Sequence, residues 1–245
     1  MSFSCRRVKA IVVKELSDYR RNRFVMVFTM TILPLIFITV PTVELLAVPA
    51  ATANSKLDTR VGLSLLYLLL IPAIVPSTVS AYSVIGEREQ GTLEPILITP
   101  IRREEFLIGK ALAVVLPTLV VAYAIFGIFL AIAALFAHPG IESAIFAGSH
   151  IPVQVAFTPL LAGWSIWVGI AISARSSDVR VAQQLSVFAN IPPVAIVALM
   201  GFNVIPPSTG LALGLAAALL MLDALGWRAV AAMFDRERLI TGIRS

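Results

Sequence analysis

Charge is what this sequence has least of. Asp, Glu, Lys and Arg make up 13% of 245 residues, against 58% apolar, where a water-soluble domain carries about a quarter charged residues. There is too little polar surface here to cover a soluble globule, and the mean hydropathy is +0.92. Cysteine is almost missing: Cys5 stands alone, which excludes an internal disulfide and a thiolate metal centre. Histidine is limited to His138 and His150, followed by Pro139 and Ile151, so no HExxH zinc motif exists. No serine sits in a GxSxG elbow. A phosphate-cradling GxxxxGK[ST] loop is also lacking. The nearest approach, Gly86 to Gly91 followed by Thr92, has no lysine and follows an apolar run rather than a strand. No catalytic, cofactor-binding or metal-ligating residue is therefore assigned, and the chain is not expected to be an enzyme.

What is present is a series of long apolar runs. They lie at about Phe24–Val48, Val61–Ile85, Ala111–Ala137, Val153–Ala174, Leu185–Ile205 and Gly210–Trp227. Crossing the hydrocarbon core takes about 20 apolar residues, and only the last run is near the lower limit. This predicts an all-α, polytopic membrane protein with six transmembrane helices. Prolines interrupt most of the runs: Pro34, Pro72, Pro76, Pro117, Pro159, and the pair Pro192 and Pro193. Each should kink its helix, and neighbouring helices must satisfy the freed carbonyls. Gly210 and Gly214 form a GxxxG that would allow close helix packing. The two halves share no motif, so no inverted repeat is invoked.

The net charge is +5. The basic residues flank apolar runs, so membrane orientation explains them better than nucleic-acid binding, and no nucleic-acid partner is expected. Seventeen of the nineteen Lys and Arg fall at the N-terminus, after the second, fourth and sixth runs; only Lys56 and Arg60 fall on the other side. That split predicts cytoplasmic N and C termini. The basic start is followed by a run too long for the core of a cleavable signal peptide. Within Arg6–Arg23, Val8, Ile11, Val12, Leu16 and Tyr19 recur at helical spacing while most basic residues lie elsewhere on the wheel. This predicts an N-terminal amphipathic helix lying at the membrane interface. The expected organisation is an interfacial helix over 1–23, a membrane domain over 24–228 and a cytoplasmic tail over 229–245.

The membrane domain carries one charged island, 86–110. Gly86 and Gly91 are placed to end or bend the second helix. Thr92 is an expected N-cap, with Glu94 in the first turn where a carboxylate suits the helix dipole. Leu93, Ile96 and Leu97 make one apolar face of a helix of about two turns. Thr99 and Pro100 then restart the chain as N-cap and N1 of the third span. Either a partner docks on this helix or it packs on its own domain.

Polar residues inside the spans are few. Ser77, Thr78 and Asn190 are candidate linings of a substrate path, as are Trp164 and Trp167, for which packing is the simpler reading. Glu44 and Asp223 are read as lying near span ends, with no acid at the centre of any span, which argues against a proton- or sodium-coupled carrier working alone.

The island's pattern resembles that of the integral membrane subunit of ABC-2-type transporters. It reads Glu87, Glu89, Gly91, Thr92, Leu93, Glu94, Thr99, Pro100, Arg103, Glu104, Gly109 and Lys110. Lys14, Glu15 and Leu16 ahead of the first span, and Pro34 with Leu35 inside it, are similar to the same family. The resemblance implies a permease subunit dimerised with a second copy or a paralogue, with two copies of a separate ABC ATPase as partners. It implies multi-pass insertion in a prokaryotic plasma membrane and outward transport. The island's helix would be the coupling helix, with Gly86, Glu87, Glu89, Gly91, Thr92, Leu93, Glu94, Ile96, Leu97 and Pro100 serving the ATPase interface. An autonomous secondary carrier or channel is the alternative.

Overall fold

The computed structural model describes residues 3–48, 54–89, 91, 101–146, 150–202 and 209–233, and every regular element among them is helical. Helix α1 (Cys5–Arg21) precedes a π-helical stretch (Phe24–Ile32) that runs straight into α2 (Leu33–Leu46). Then follow α3 (Asn54–Glu89), α4 (Arg103–Phe136), α5 (Pro139–Phe146), α6 (His150–Arg175), α7 (Val179–Phe188), α8 (Ile191–Gly201) and α9 (Thr209–Met233). Six segments are long and apolar enough to span a bilayer, with α7 and α8 together making the fifth.

Helix α3 is the axis of the bundle and packs on α2, α4, α6, α7 and α8. It is apolar nearly all round, as a helix surrounded by others must be. Ile71, Ala73, Val75 and Ala81 are wholly buried. Its main partner, α6, presents a stripe of small residues that includes Ala162, Ser165, Gly169 and Ser173. A Cβ at Gly169 would collide with the Ser80 hydroxyl, so glycine is what lets the two helices approach this closely. By contrast, a Cβ at Gly210 or Gly214 would meet nothing, so that GxxxG packs on no other helix among the described residues.

Two apolar clusters mark the ends of the bundle. One gathers Leu45, Leu57, Val61, Phe129, Ile141 and Ile145. The other gathers Ile11 and Tyr19 of α1, Val84, Leu107, Ile170 and Val230. Hence α1, the end of α3, the start of α4 and the ends of α6 and α9 share one end. This up-and-down order is the one the six apolar runs require.

Several expectations need correction. Gly86 does not end α3, which runs to Glu89; the Tyr82 ring lies over Gly86, 2.5 Å from where a Cβ would sit. Thr99 and Pro100 lie outside the described residues, within which the helix of the third span begins at Arg103. Its N-cap is Arg102, whose N–H donates to Glu105 Oε2 at 3.1 Å. The segment 138–152, between the third and fourth apolar runs, contains helix α5 and the start of α6, because Ile141 and Ile145 bury an apolar face. The polar stretch 174–184 is helical except at 176–178, since Asp178 caps α7 by accepting from the N–H groups of Arg180 and Val181. The sixth span is not short, because α9 continues past Trp227 to Met233.

The last correction has a chemical consequence. In a span of Gly210–Met233, Asp223 is central rather than terminal. It packs on Gly163, itself at the middle of α6.

Candidate functional site

At the α1 end of the bundle, three helices separated in sequence meet through charge. Lys110, on the second turn of α4, is fully buried. Its ammonium donates to Glu15 Oε1 at 3.2 Å and to the Ser83 carbonyl at 2.9 Å, and lies 3.1 Å from Glu87 Oε1. It also sits 5.0 Å from the Phe106 ring centroid, a cation–π distance. Lys14 repeats the bridge from the outside, 3.1 Å from Glu15 Oε1 and 2.9 Å from Glu87 Oε1. Two ammonium groups thus hold two carboxylates in one knot joining α1, α3 and α4. A buried charge persists only when it is paired in this way.

Local sequence explains the seating. The inward face of α1 is Val8, Ile11, Glu15 and Tyr19, a helical stripe with an acid in it. Gly109 lets Ile11 approach α4, because a Cβ there would lie 2.6 Å from Ile11 Cγ2. Lys110, the next residue, then reaches Glu15 one turn along α1. A second tie lies beyond it. Glu105 accepts at Oε1 from Arg7 Nη2 at 2.8 Å and from the Ser4 N–H at 2.7 Å. One carboxylate so fixes the starts of both α1 and α4.

The electrostatics follow. Burial opposes the charge on Glu15, but Lys110 and Lys14 outweigh it and hold its carboxyl below the ordinary range. Burial likewise opposes Lys14, and Glu15 and Glu87 hold its ammonium above the ordinary lysine value. Burial, reinforced by the Glu15 charge, pushes the Tyr19 phenol well up. A cleft of about 390 Å³ between α1 and α3 opens beside the knot, lined by Lys14, Glu15, Tyr19, Ser83 and Glu87.

This arrangement frames the charged island. Glu87 is turned into the knot and 7% exposed at its side chain. Glu89 closes α3, and Gly91 takes a positive φ of 66°, where a β-carbon is disfavoured. Thr92, Leu93, Glu94, Ile96, Leu97 and Pro100 lie outside the described residues. The two arms that carry them, α3 and α4, are the two helices that Lys110 ties to α1. Glu15 and Lys110 were missed as site residues. The available signal was an acid within an apolar helical stripe and a lysine directly after a glycine in an apolar run.

The candidate path residues form a second group, at the break between α7 and α8. Asn190 Nδ2 donates to Ser77 Oγ and, at 2.7 Å, to the Ser186 carbonyl, while Ser165 Oγ donates to Asn190 Oδ1 at 2.7 Å. Pro193 has no N–H for the Ala189 carbonyl, and the Trp164 indole N–H donates to that carbonyl instead, at 3.3 Å. Thr78 donates to the Val75 carbonyl at 2.9 Å. Trp167 packs edge-on against Trp227, with centroids 5.1 Å apart. The hydrogen-bonding groups of these residues are largely occupied by the protein, as a proline-broken span in lipid requires.

No curated protein matches the chain. The model of the ABC-2 family transporter proteins matches residues 9–223, from the start of the docked face of α1 to Asp223 in the sixth span. Six spans, a docked amphipathic helix and a charged island after the second span agree with that match: the chain belongs to the ABC-2 transporter family, as a membrane-spanning permease subunit of an ABC transporter.

Proposed function

We propose that this permease is driven by a separate ATPase subunit through residues 86–110 and moves substrate outward. The observation that carries the reading is the buried Lys110–Glu15–Glu87–Lys14 knot. A push on the segment between α3 and α4 is delivered to both arms, and the knot passes it to α1 as one body. Coupling needs contacts that differ between two states. The segment from Thr92 to Ile98 serves as the lever, seated on the ATPase. Glu87 acts on it through the knot rather than by direct contact. Glu89, Gly91 and Pro100 set its ends.

The permease works as a dimer with a second copy or a paralogue and two ATPase copies, in a prokaryotic plasma membrane. The basic end, with both termini, faces the cytoplasm, because fourteen of the sixteen Lys and Arg in the described residues lie at the α1 end of the bundle. Residues 1–23 form the interfacial helix and 229–245 the cytoplasmic end. Asp223 removes the argument that no span carries a central acid, so the case against an autonomous carrier now rests on family membership.

The test is a Leu93→Ala, Glu94→Ala chain co-expressed with its ATPase. The expected result is loss of co-purification and of ATP-driven transport in vesicles. Full retention of both would overturn the coupling assignment.

A further inference from the structure

Among Asp, Glu, Lys, Arg and His, Asp223 is the one residue in the middle third of a span among the described residues. Its surroundings leave it open. Among the described residues, Oδ1 is buried and meets no hydrogen-bond partner, and no ion pair reaches the carboxyl. The elements packed most closely on α9 are α6 and α4, with Leu69 of α3 and Val197 of α8 in the same apolar cluster. On α6, His150 and Arg175 lie at the two ends. On α4, Glu104, Glu105 and Lys110 lie at one end, and Tyr123 is engaged with the Val155 carbonyl. On α9 itself, Arg228 is five residues on, about 140° round the helix.

The carboxyl also has a built seat. A Cβ at Gly163 would lie 2.7 Å from Asp223 Oδ2, so the glycine lets the carboxyl sit against α6 without being pushed aside. One turn further along both helices, Trp167 meets Gly226 and stacks edge-on against Trp227. The outer side of α9, with Leu220, Met221 and Leu225, is exposed and faces lipid in a bilayer. The seam between α6 and α9 thus offers an acceptor without a donor, an aromatic wall beside it and access from hydrocarbon.

We propose that this seam is a binding site for a lipophilic organic cation, an ammonium carried on an apolar body. The ammonium donates to Asp223 and the apolar body lies against Trp167 and Trp227. An isolated charge at the bilayer centre requires an opposite partner, and indole faces favour cations. As an assignment of substrate class, this rests on the permease function proposed above.

All three tryptophans of the chain lie on α6 and α9, and two of them, Trp167 and Trp227, line the seam, so they report on it directly. The probe is a dansyl-labelled alkylammonium, added to the permease alone in lipid nanodiscs and read by energy transfer from tryptophan. Its uncharged N-acetyl analogue is the control. Saturable transfer is expected for the ammonium only, weakened about tenfold or more in Asp223→Asn. Asp223→Asn removes an unpaired charge and leaves the fold intact, which size-exclusion elution checks. Gly163→Leu fills the seat and should abolish transfer. Equal affinity of Asp223→Asn, equal transfer from the acetylated analogue, or no saturable transfer in the wild-type chain would each overturn the site. Because no ATPase is present, such a failure leaves the coupling test unaffected, and failure of that test leaves this one readable.

Discussion

Replacing Lys110 with Met keeps the length of the side chain and removes the charge that holds α1 down. The wild-type ammonium has three oxygen partners within 3.2 Å and no exposed side-chain surface. Without it, the Glu15 and Glu87 carboxylates remain 6% and 7% exposed, facing each other, with Lys14 alone between them. Removing one partner of a buried ion pair costs about 3–5 kcal/mol. The lower figure applies here, because Lys14 keeps both contacts, although its side chain is 43% exposed and screened by water. About 3 kcal/mol corresponds to a factor of about 100 in the docking equilibrium of α1. Hydrogen exchange followed by mass spectrometry on the permease in nanodiscs reads this directly. Amides of Val8 to Tyr19 should lose about a hundredfold in protection, while the central turns of α3 and α6 keep theirs. Adding Glu87→Gln to Lys110→Met removes one of the two unbalanced charges and should restore part of the protection. If α1 protection in Lys110→Met stays within about threefold of wild type, the knot does not hold α1, and the transmission of force through it is wrong.

The same knot predicts a pH window. The folded pKa of Glu15 lies below its ordinary 4.5, so its stabilisation is full above that value and fades as the pH falls further through the folded pKa. The folded pKa of Lys14 lies above its ordinary 10.5, so its smaller, solvent-screened contribution is full below that value and fades as the pH rises beyond it. Exchange protection of α1 should therefore be flat between these limits and fall outside them; a fall centred near neutral pH would contradict the assignment. At the bundle axis, Gly169→Ala should destabilise by about 1–3 kcal/mol through overpacking against Ser80. Gly214→Ala should be neutral or slightly stabilising in a helix. Thermal unfolding in detergent compares the two, and equal effects would refute the close approach of α3 and α6.

The island shows how reading and structure divide. Its position after the second span was legible because hydropathy is a one-dimensional property, and six apolar runs with prolines punctuating them report themselves residue by residue. The amphipathic start was legible for the same reason, although the periodicity counted Leu16 inward while the structure exposes it and buries Glu15. A scale that rewards apolarity cannot choose an acid for a buried stripe unless it also knows where the cation is. That cation, Lys110, lies 95 residues away.

Asp223 failed differently. It was placed near a span end because the sixth apolar run was ended at Trp227, whereas α9 continues to Met233. The error was one of boundary, and it concealed the only mid-span acid among the described residues. Trp164 was noticed for its depth, but its purpose depends on Pro193 having freed a carbonyl on a different span. What the sequence determined by itself was the class: helices in a membrane, their number, the basic end and the charged segment that interrupts them. The tertiary structure decided which charges meet. An ion pair, a glycine seat or an orphaned carboxyl is a relation between helices, set by packing distances that no single stretch of chain contains.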